Sequence, residues 1–438
     1  MNHPRDAVYR ILREVGRGRR LDVAFEAHAP SLEPEGRRWA QELAFGVVRF
    51  QGRIDYLLSL HLRPGELVEP LRILLRMGAW QLLAMGSVPS YAAVSATVDQ
   101  ARKGVGTGAA GLTNAVLRRL SEAGGGIERF PSLEADPVAH LVTWGSHPEW
   151  LVRRWIQRWG VEQTALLVEM NNRIPALHLK PFPAGADEAV RTEAMARLDA
   201  ADIRSIVADA GTLQLPPGTD PRAALAAAHP AVIQDPAAAS VVEFAVDAWR
   251  GLDSALRHLP VADLCAAPGG KGMGVASVGA RVLGLDPSRH RLLRMRETKD
   301  RLGLPVGLAV ARGEAPPVRA AGLVLVDAPC TGTGTLARHP DSRWRLEPGS
   351  PEAMAEVQDR ILDGAAGIVS PGGVLIYATC SLEPEENQER VEAFTIRHPD
   401  FIVESTMERL PQETGTDGAW AARIRRGSGA ANKAGEWG

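Results

Sequence analysis

The sequence predicts a multidomain chain of α and α/β type: an all-helical front, a small α+β middle and a doubly wound, Rossmann-like parallel sheet at the back. Three observations carry this expectation. Apolar residues recur at helical spacing, with no alternating strand pattern, over about the first 125 positions. From Pro175 the pattern switches to β-α-β-β-α-β. From Pro260 onward, short and nearly continuous apolar runs alternate with helices, as in parallel sheets covered on both faces.

The totals bound the reading. A chain of 438 residues, 45% hydrophobic and 23% charged, is globular and long enough for about three domains. The net charge of −2 excludes a bulk-basic nucleic-acid binder, so any such affinity must come from local patches. No apolar run approaches the roughly 20 residues of a membrane helix. The opening MNHPRDAVYRILREV has neither an apolar h-region nor a small-residue cleavage site. Three cysteines are too few for a disulfide framework, so a reducing, cytoplasmic setting is expected. Nothing demands more than a monomer.

The front region, residues 1–130, reads as helices. Ala7, Val8, Ile11, Leu12 and Val15 share one helical face, and Gly16 and Gly18 stop the run. Leu43, Ala44, Val47 and Val48 mark a second helix, and Leu67, Leu71, Leu74, Leu75 and Leu82 a longer one. Val94 to Ala101 and Leu112 to Leu120 add two more. Arginines gather at Arg17, Arg19, Arg20, Arg37, Arg38, Arg118 and Arg119, either as solvated surface or as an RNA-facing edge. The stretch from Gly124 to Pro137, rich in Gly, Pro and acid, is the expected domain boundary. The second domain, residues 140–235, opens on HPEWLVRRWIQRWG, whose tryptophans are expected to bury beside Arg153, Arg154 and Arg158. The third domain spans residues 236–426, with DGAWAARIRR as its final, edge strand, and residues 427–438 form a tail of disordered composition.

All three cysteines sit at or just past the ends of predicted strands: Cys265 in VADLCAAPGGK, Cys330 in LVLVDAPCTGTG and Cys380 in GGVLIYATCSL. Ligands bind at that edge in open α/β sheets. CAAPGGK is a strand–glycine turn–helix unit, yet it is neither a dinucleotide fingerprint nor a P-loop. Asp286, ending the next strand, suits a ribose diol, or else caps the helix that follows. A cofactor with a ribose and no phosphate, such as S-adenosylmethionine, fits both features. At the fourth strand, Asp327-Ala328-Pro329-Cys330 carries a thiol where amine methyltransferases carry an aromatic. Carbon 5 of cytosine is too weakly nucleophilic to accept a methyl group unaided. A thiolate added to carbon 6 makes it enamine-like, and a second group must then assist release. The chemistry alone leaves open which cysteine attacks. Cys265 reads as a small buried hydrophobe.

DLCAAPGGK, DAPCTGTG and YATCSL, in that order, resemble the NOL1/NOP2/Sun family of RNA cytosine-C5 methyltransferases. HPEWLVRRW, Asn171-Asn172, IQDPAAAS and DGAWAARIRR resemble its flanking blocks. In front, GVVRFQGRIDYLL, LRILLRMGAWQLL and GLTNAVLRRL are similar to the NusB-like RNA-binding fold. The resemblance implies that Cys380 is the nucleophile and that Cys330 assists product release. Asp327 would lie at the cofactor's methionine end or the target base. Cys265, Ala266, Ala267, Pro268, Gly269, Gly270 and Lys271 would wrap S-adenosylmethionine, with Asp286 on its ribose and Glu314 as the adenine-side acid. No metal is implied. The substrate implied is 16S ribosomal RNA, at the cytosine of position 967, held by the helical front and the small α+β domain. Alternatives are the same reaction on tRNA or another rRNA site, and a non-catalytic RNA-binding assembly factor. Gly272, Thr331 and Ala419-Trp420 depart from the residues more usual at these places.

Overall fold

Helical periodicity in the front of the chain does build a helical unit. The computed structural model describes residues 3–63, 65, 67–185 and 188–428. The chain divides into two compact units, one of Met1–Arg173 with Leu336–Pro348, the other of Ile174–Thr335 with Gly349–Gly438. The tail expected at 427–438 falls, from residue 429, outside the described residues.

In the first unit, helices Pro4–Val15, Pro34–Arg49, Glu69–Ala84, Ser90–Gly104 and Thr107–Ala123 turn their apolar stripes inward. Ile11, Leu43, Ile54, Leu57, Leu75 and Met77 are fully enclosed there. Burial of each such side chain stabilises by about 1.5–3 kcal/mol. Gly16 ends the first helix as expected. The stretch Gly124–Pro137, read as a linker, is instead packed. Phe130 is buried between Tyr56 and Trp144, at ring distances of 4.9 and 5.2 Å. Composition marks a turn here, but one aromatic with a pocket to fill ties it down. Helix Glu149–Asn172, expected to open the second domain, belongs to this unit and bends at Gly160 (φ 77°). Of its tryptophans, Trp155 is buried against His147.

The segment Leu336–Pro348 also folds with the first unit. Arg343 is 0% exposed and, among the described residues, its guanidinium is held by carbonyls and an amide rather than by an ion pair. Its guanidinium donates to Asn172 Oδ1 (2.8 Å) and to the carbonyls of Asn171 (3.0 Å), Ser146 (3.1 Å), Arg49 (3.4 Å) and Leu336 (3.4 Å). Burial first, and then the charge of Arg49, push its pKa well down. Trp344 Nε1 donates to Val48 O at 2.8 Å. No helix among the described residues is long and apolar enough to cross a membrane.

The second unit holds two sheets. Strands β1 (Leu177–Pro181), β2 (Ile206–Ala208), β3 (Thr212–Leu215) and β4 (Ala231–Ile233) pair antiparallel in the order β2-β3-β1-β4. β1 and β2 run the same way with β3 between them, the split βαβ expected from the sequence. Helices Glu188–Ala200 and Pro221–Ala227 give Leu198 and Ala224 to its core.

The larger sheet contains β5 (Val261–Asp263), β6 (Val282–Asp286), β7 (Val306–Val310), β8 (Ala321–Asp327), β9 (Val369–Thr379), β10 (Phe401–Arg409) and β11 (Ala419–Arg426). Its order is β10-β11-β9-β8-β5-β6-β7. β5 to β9 are mutually parallel, while β11 runs antiparallel between β9 and β10. So DGAWAARIRR is an inner strand, and the edge expected there is β10. That strand buries only Phe401, at its start, and its exposed stretch IVEST hides the pattern of a half-buried strand. The chain leaves β5 toward β6 and β7, then returns on β5's other side with β8. This reversal is a topological switch point, where such sheets open a crevice.

Candidate active site

β8 and β9 are neighbours in parallel register, with Asp327 opposite Ala378. Both chains therefore emerge at the same carboxyl edge, and the residues just beyond them meet. Cys330 Sγ lies 3.3 Å from Cys380 Sγ, though the two are fifty positions apart. Both are free, half-buried thiols. The turns can close this far because Gly334 sits where a side chain would strike Cys380 O and Gly418 Cα at 2.8 Å. In its place the Gly334 amide donates to Cys380 O at 2.9 Å. The hydrogen bond to Cys380, burial and the nearby charges of Cys380 and Glu386 push the Cys330 thiol well up. Cys330 thus keeps its proton near neutrality and can donate it toward Cys380 Sγ.

Asp327, at the end of β8, accepts from Lys271 Nζ at 2.6 Å. Burial works against the lysine's charge, but Asp327, by charge and hydrogen bond, and the charge of Cys380 outweigh it and raise its pKa. One ammonium therefore serves both the carboxylate and the thiol side of the site.

Across the switch point, Asp263 ends β5. It is 1% exposed, and no donor completes a hydrogen bond to either carboxylate oxygen. Burial, then Asp327, push its pKa up to about 7, against the pull of Lys271 and the neighbouring amides of Cys265 and Gly272. An unsatisfied buried carboxylate is costly. A side chain at position 272 would come within 2.5 Å of its Oδ2, so the glycine there makes room for it. Sequence reading passed over Asp263, although its place two residues before CAAPGGK, at the end of a strand, was a signal. Carboxylates at Asp263 and Asp327 with an ammonium at Lys271 match the charges of an amino-acid end, such as the methionine portion of S-adenosylmethionine. The residues present fit that cofactor.

The other expected residues lie as follows. Ala266 and Ala267 are buried in the turn after β5. Pro268, Gly269 (φ 108°) and Gly270 lead into helix Gly270–Ala276, which carries Lys271. The Cys265 thiol is half-buried and outside the thiol pair, and burial, then Asp263, Asp327 and Asp286, push its pKa up. Asp286 is fully buried at the end of β6. It accepts from the Ser288 amide (2.8 Å) and from Arg291 Nη2 (2.5 Å) and Nε (3.3 Å). Ser288, not Asp286, caps the helix Arg289–Leu302, and Asp286 instead holds the turn before it; a ribose at Asp286 would exchange with Arg291. Glu314 is half-buried in the turn beyond β7, against helix Ser350–Ala366 through its own carbonyl.

Residues 257–425 match the family described as 16S rRNA methyltransferase RsmB/F, and residues 2–122 match the NusB family. The chain is 32% identical over 447 residues to the ribosomal RNA small subunit methyltransferase B of Thermus thermophilus, covering 97% of this chain and 98% of that one. It is 30% identical over 441 residues to the protein of the same description from Sodalis glossinidius, covering 94% and 95%. Among solved structures it shares its fold with PH0851, at a TM-score of 0.75 and 22% identity over 97% of this chain and 99% of that one. A switch-point crevice with two opposed thiols, and relatives matched nearly end to end, lead to one assignment: the chain belongs to the RsmB/F family of 16S rRNA methyltransferases, with a NusB-family region in front.

Proposed function

We propose that the protein methylates carbon 5 of a cytosine in 16S ribosomal RNA through a covalent adduct between Cys380 and carbon 6 of the base. The observation that carries this reading is the 3.3 Å thiol pair beside the Lys271–Asp327 ion pair. S-adenosylmethionine, when bound, supplies the methyl group as an electrophilic sulfonium.

The chain's own groups divide the remaining work. Cys380 attacks carbon 6 through its thiolate sulfur. Cys330, which holds its proton, donates a hydrogen bond to that thiolate as it forms. It does so again when water takes the carbon-5 proton, the ring double bond re-forms and Cys380 is expelled as a thiolate. Asp327 lies where the cofactor's methionine end and the target base must approach each other. Asp263 and Asp327 hold the cofactor's ammonium, Lys271 its carboxylate and Asp286 its ribose. The target base must leave its stack to reach thiols recessed at a sheet edge. The NusB-family region and the small sheet hold the RNA, in a monomer working in the cytoplasm.

Bisulfite sequencing of 16S rRNA tests this reading. A strain lacking the gene should lose one 5-methylcytosine, the gene should restore it, and a Cys380→Ala copy should not. An unchanged methylation pattern in the deletion strain would overturn the substrate assignment.

A further inference from the structure

One carboxylate outside the reacting groups touches both thiol loops. Glu386 is 0% exposed and lies six residues beyond Cys380, in the turn before helix Gln388–Arg397. Its Oε1 accepts from the Thr331 amide (2.8 Å) and from Gln358 Nε2 (3.1 Å). Its Oε2 accepts from the hydroxyls of Thr331 and Ser381. Thr331 directly follows Cys330, and Ser381 directly follows Cys380. Gln358, on helix Ser350–Ala366, also donates to Pro329 O at 2.9 Å, so the residues on both sides of Cys330 are held. Tyr377 Oη donates to the Glu386 carbonyl at 2.6 Å and fixes the turn itself. Asn387 holds the Cys380 loop from its other side, accepting from Thr379 Oγ1 (2.6 Å) and donating to Ser381 O (2.9 Å).

Glu386 thus accepts four hydrogen bonds from three separate segments, and two of those segments carry the thiols. β8 and β9 bring the loops to the same edge but do not fix one sulfur against the other. The loops also meet directly, where the Gly334 amide donates to Cys380 O (2.9 Å) and the Leu382 amide to Thr333 Oγ1 (2.9 Å), but both links lie beyond the residues that flank the thiols on the Glu386 side. A fully buried carboxylate is expensive to keep, and simple packing would be served better by an apolar side chain. We propose that Glu386 is a positioning residue that sets the spacing of the two thiols by tying the residue after Cys330 to the residue after Cys380. Its negative charge adds to this by favouring the protonated form of Cys330. The inference rests on the proposed function for the meaning of the thiols, though not for the geometry.

The test compares Glu386→Ala with Glu386→Gln in the full-length protein. A glutamine can accept from the Thr331 amide and Gln358 and donate to the two hydroxyls, so it keeps the tie without the charge. Misplacing reacting groups by about 1 Å costs roughly 100-fold in rate. Glu386→Ala should therefore lower kcat by roughly 100-fold, with KM for S-adenosylmethionine nearly unchanged, and Glu386→Gln should recover most of that loss. Both variants should let iodoacetamide alkylate Cys330 at lower pH than in wild type, read by peptide mass spectrometry. If the alanine variant does not fold, the pair Thr331→Val and Ser381→Ala removes the same ties one at a time and should lower kcat likewise. Wild-type kcat in Glu386→Ala would overturn the proposal. So would equal losses in the alanine and glutamine variants with an unmoved alkylation profile, which would mark a purely structural residue. Turnover by Cys380→Ala, with Glu386 intact, would instead overturn the reading of the thiols, and the alkylation profile would still report on Glu386.

Discussion

Replacing Asp263 with asparagine should remove a pH dependence from cofactor binding. Asp263 is a buried carboxyl with no completed hydrogen bond, and its pKa is raised to about 7. The raised value means that the proton stays on through weak acid and leaves as pH climbs through neutrality. The ionised form is the one that attracts the ammonium and sulfonium of S-adenosylmethionine. With a pKa of about 7, about 9% of the protein is ionised at pH 6 and about 91% at pH 8. If only that form binds well, affinity rises roughly 10-fold between those pH values, or about 1.4 kcal/mol. Isothermal titration calorimetry of wild type and Asp263→Asn at both pH values gives the comparison. The ratio between the two proteins cancels the titration of the ligand's own amine. In buffers of different ionisation enthalpy, wild type should release about half a proton per cofactor at pH 7. A ratio that stays flat from pH 6 to 8, or wild-type binding that tightens in acid, would refute the reasoning.

Three further outcomes follow from the same geometry. Lys271→Met removes the cation that pairs with Asp327, so kcat/KM should fall by roughly 30-fold, about 2 kcal/mol, in steady-state methyl transfer, and an unchanged value would refute the role. Arg343→Met takes a shared donor from a cluster of buried acceptors, of which the Asn171 and Arg49 carbonyls keep a second donor. It should cost the first unit about 3 kcal/mol, or roughly 6–12 °C by scanning calorimetry, and an unchanged transition would count against the role given to that side chain. Cys265, whose thiol is pushed up by burial and three acids, should stay unmodified when the wild-type protein is treated with iodoacetamide at pH 8, as read by peptide mapping.

The sequence disclosed those features that depend on local pattern. Cys330 and Cys380 each follow an apolar strand, so their meeting at one sheet edge could be expected once β8 and β9 were read as parallel neighbours. The split βαβ was legible for the same reason, because its strands and helices announce themselves one at a time. Long-range satisfaction of polar groups was not legible. Asp263 looks like any strand-terminal acid until its burial beside Asp327 is seen. Glu386 stands in an acidic turn that reads as solvated, yet its partners come from residues 331, 358 and 381. No local pattern singles out Arg343, and all but one of its acceptors, Leu336 O, are about 170 to 290 positions away along the chain. β10 was hidden because only its first residue, Phe401, is buried. Phe130 kept a linker-like stretch packed by a single contact set that no periodicity could reveal.

The central claim, unequal roles for two thiols in contact, is tested most directly by trapping the protein on RNA. Cys330→Ala, incubated with S-adenosylmethionine and unmodified 16S rRNA and run on a denaturing gel, should carry a covalent RNA adduct that maps to Cys380. Cys380→Ala and the double variant should carry none. An adduct that survives Cys380→Ala would contradict the account.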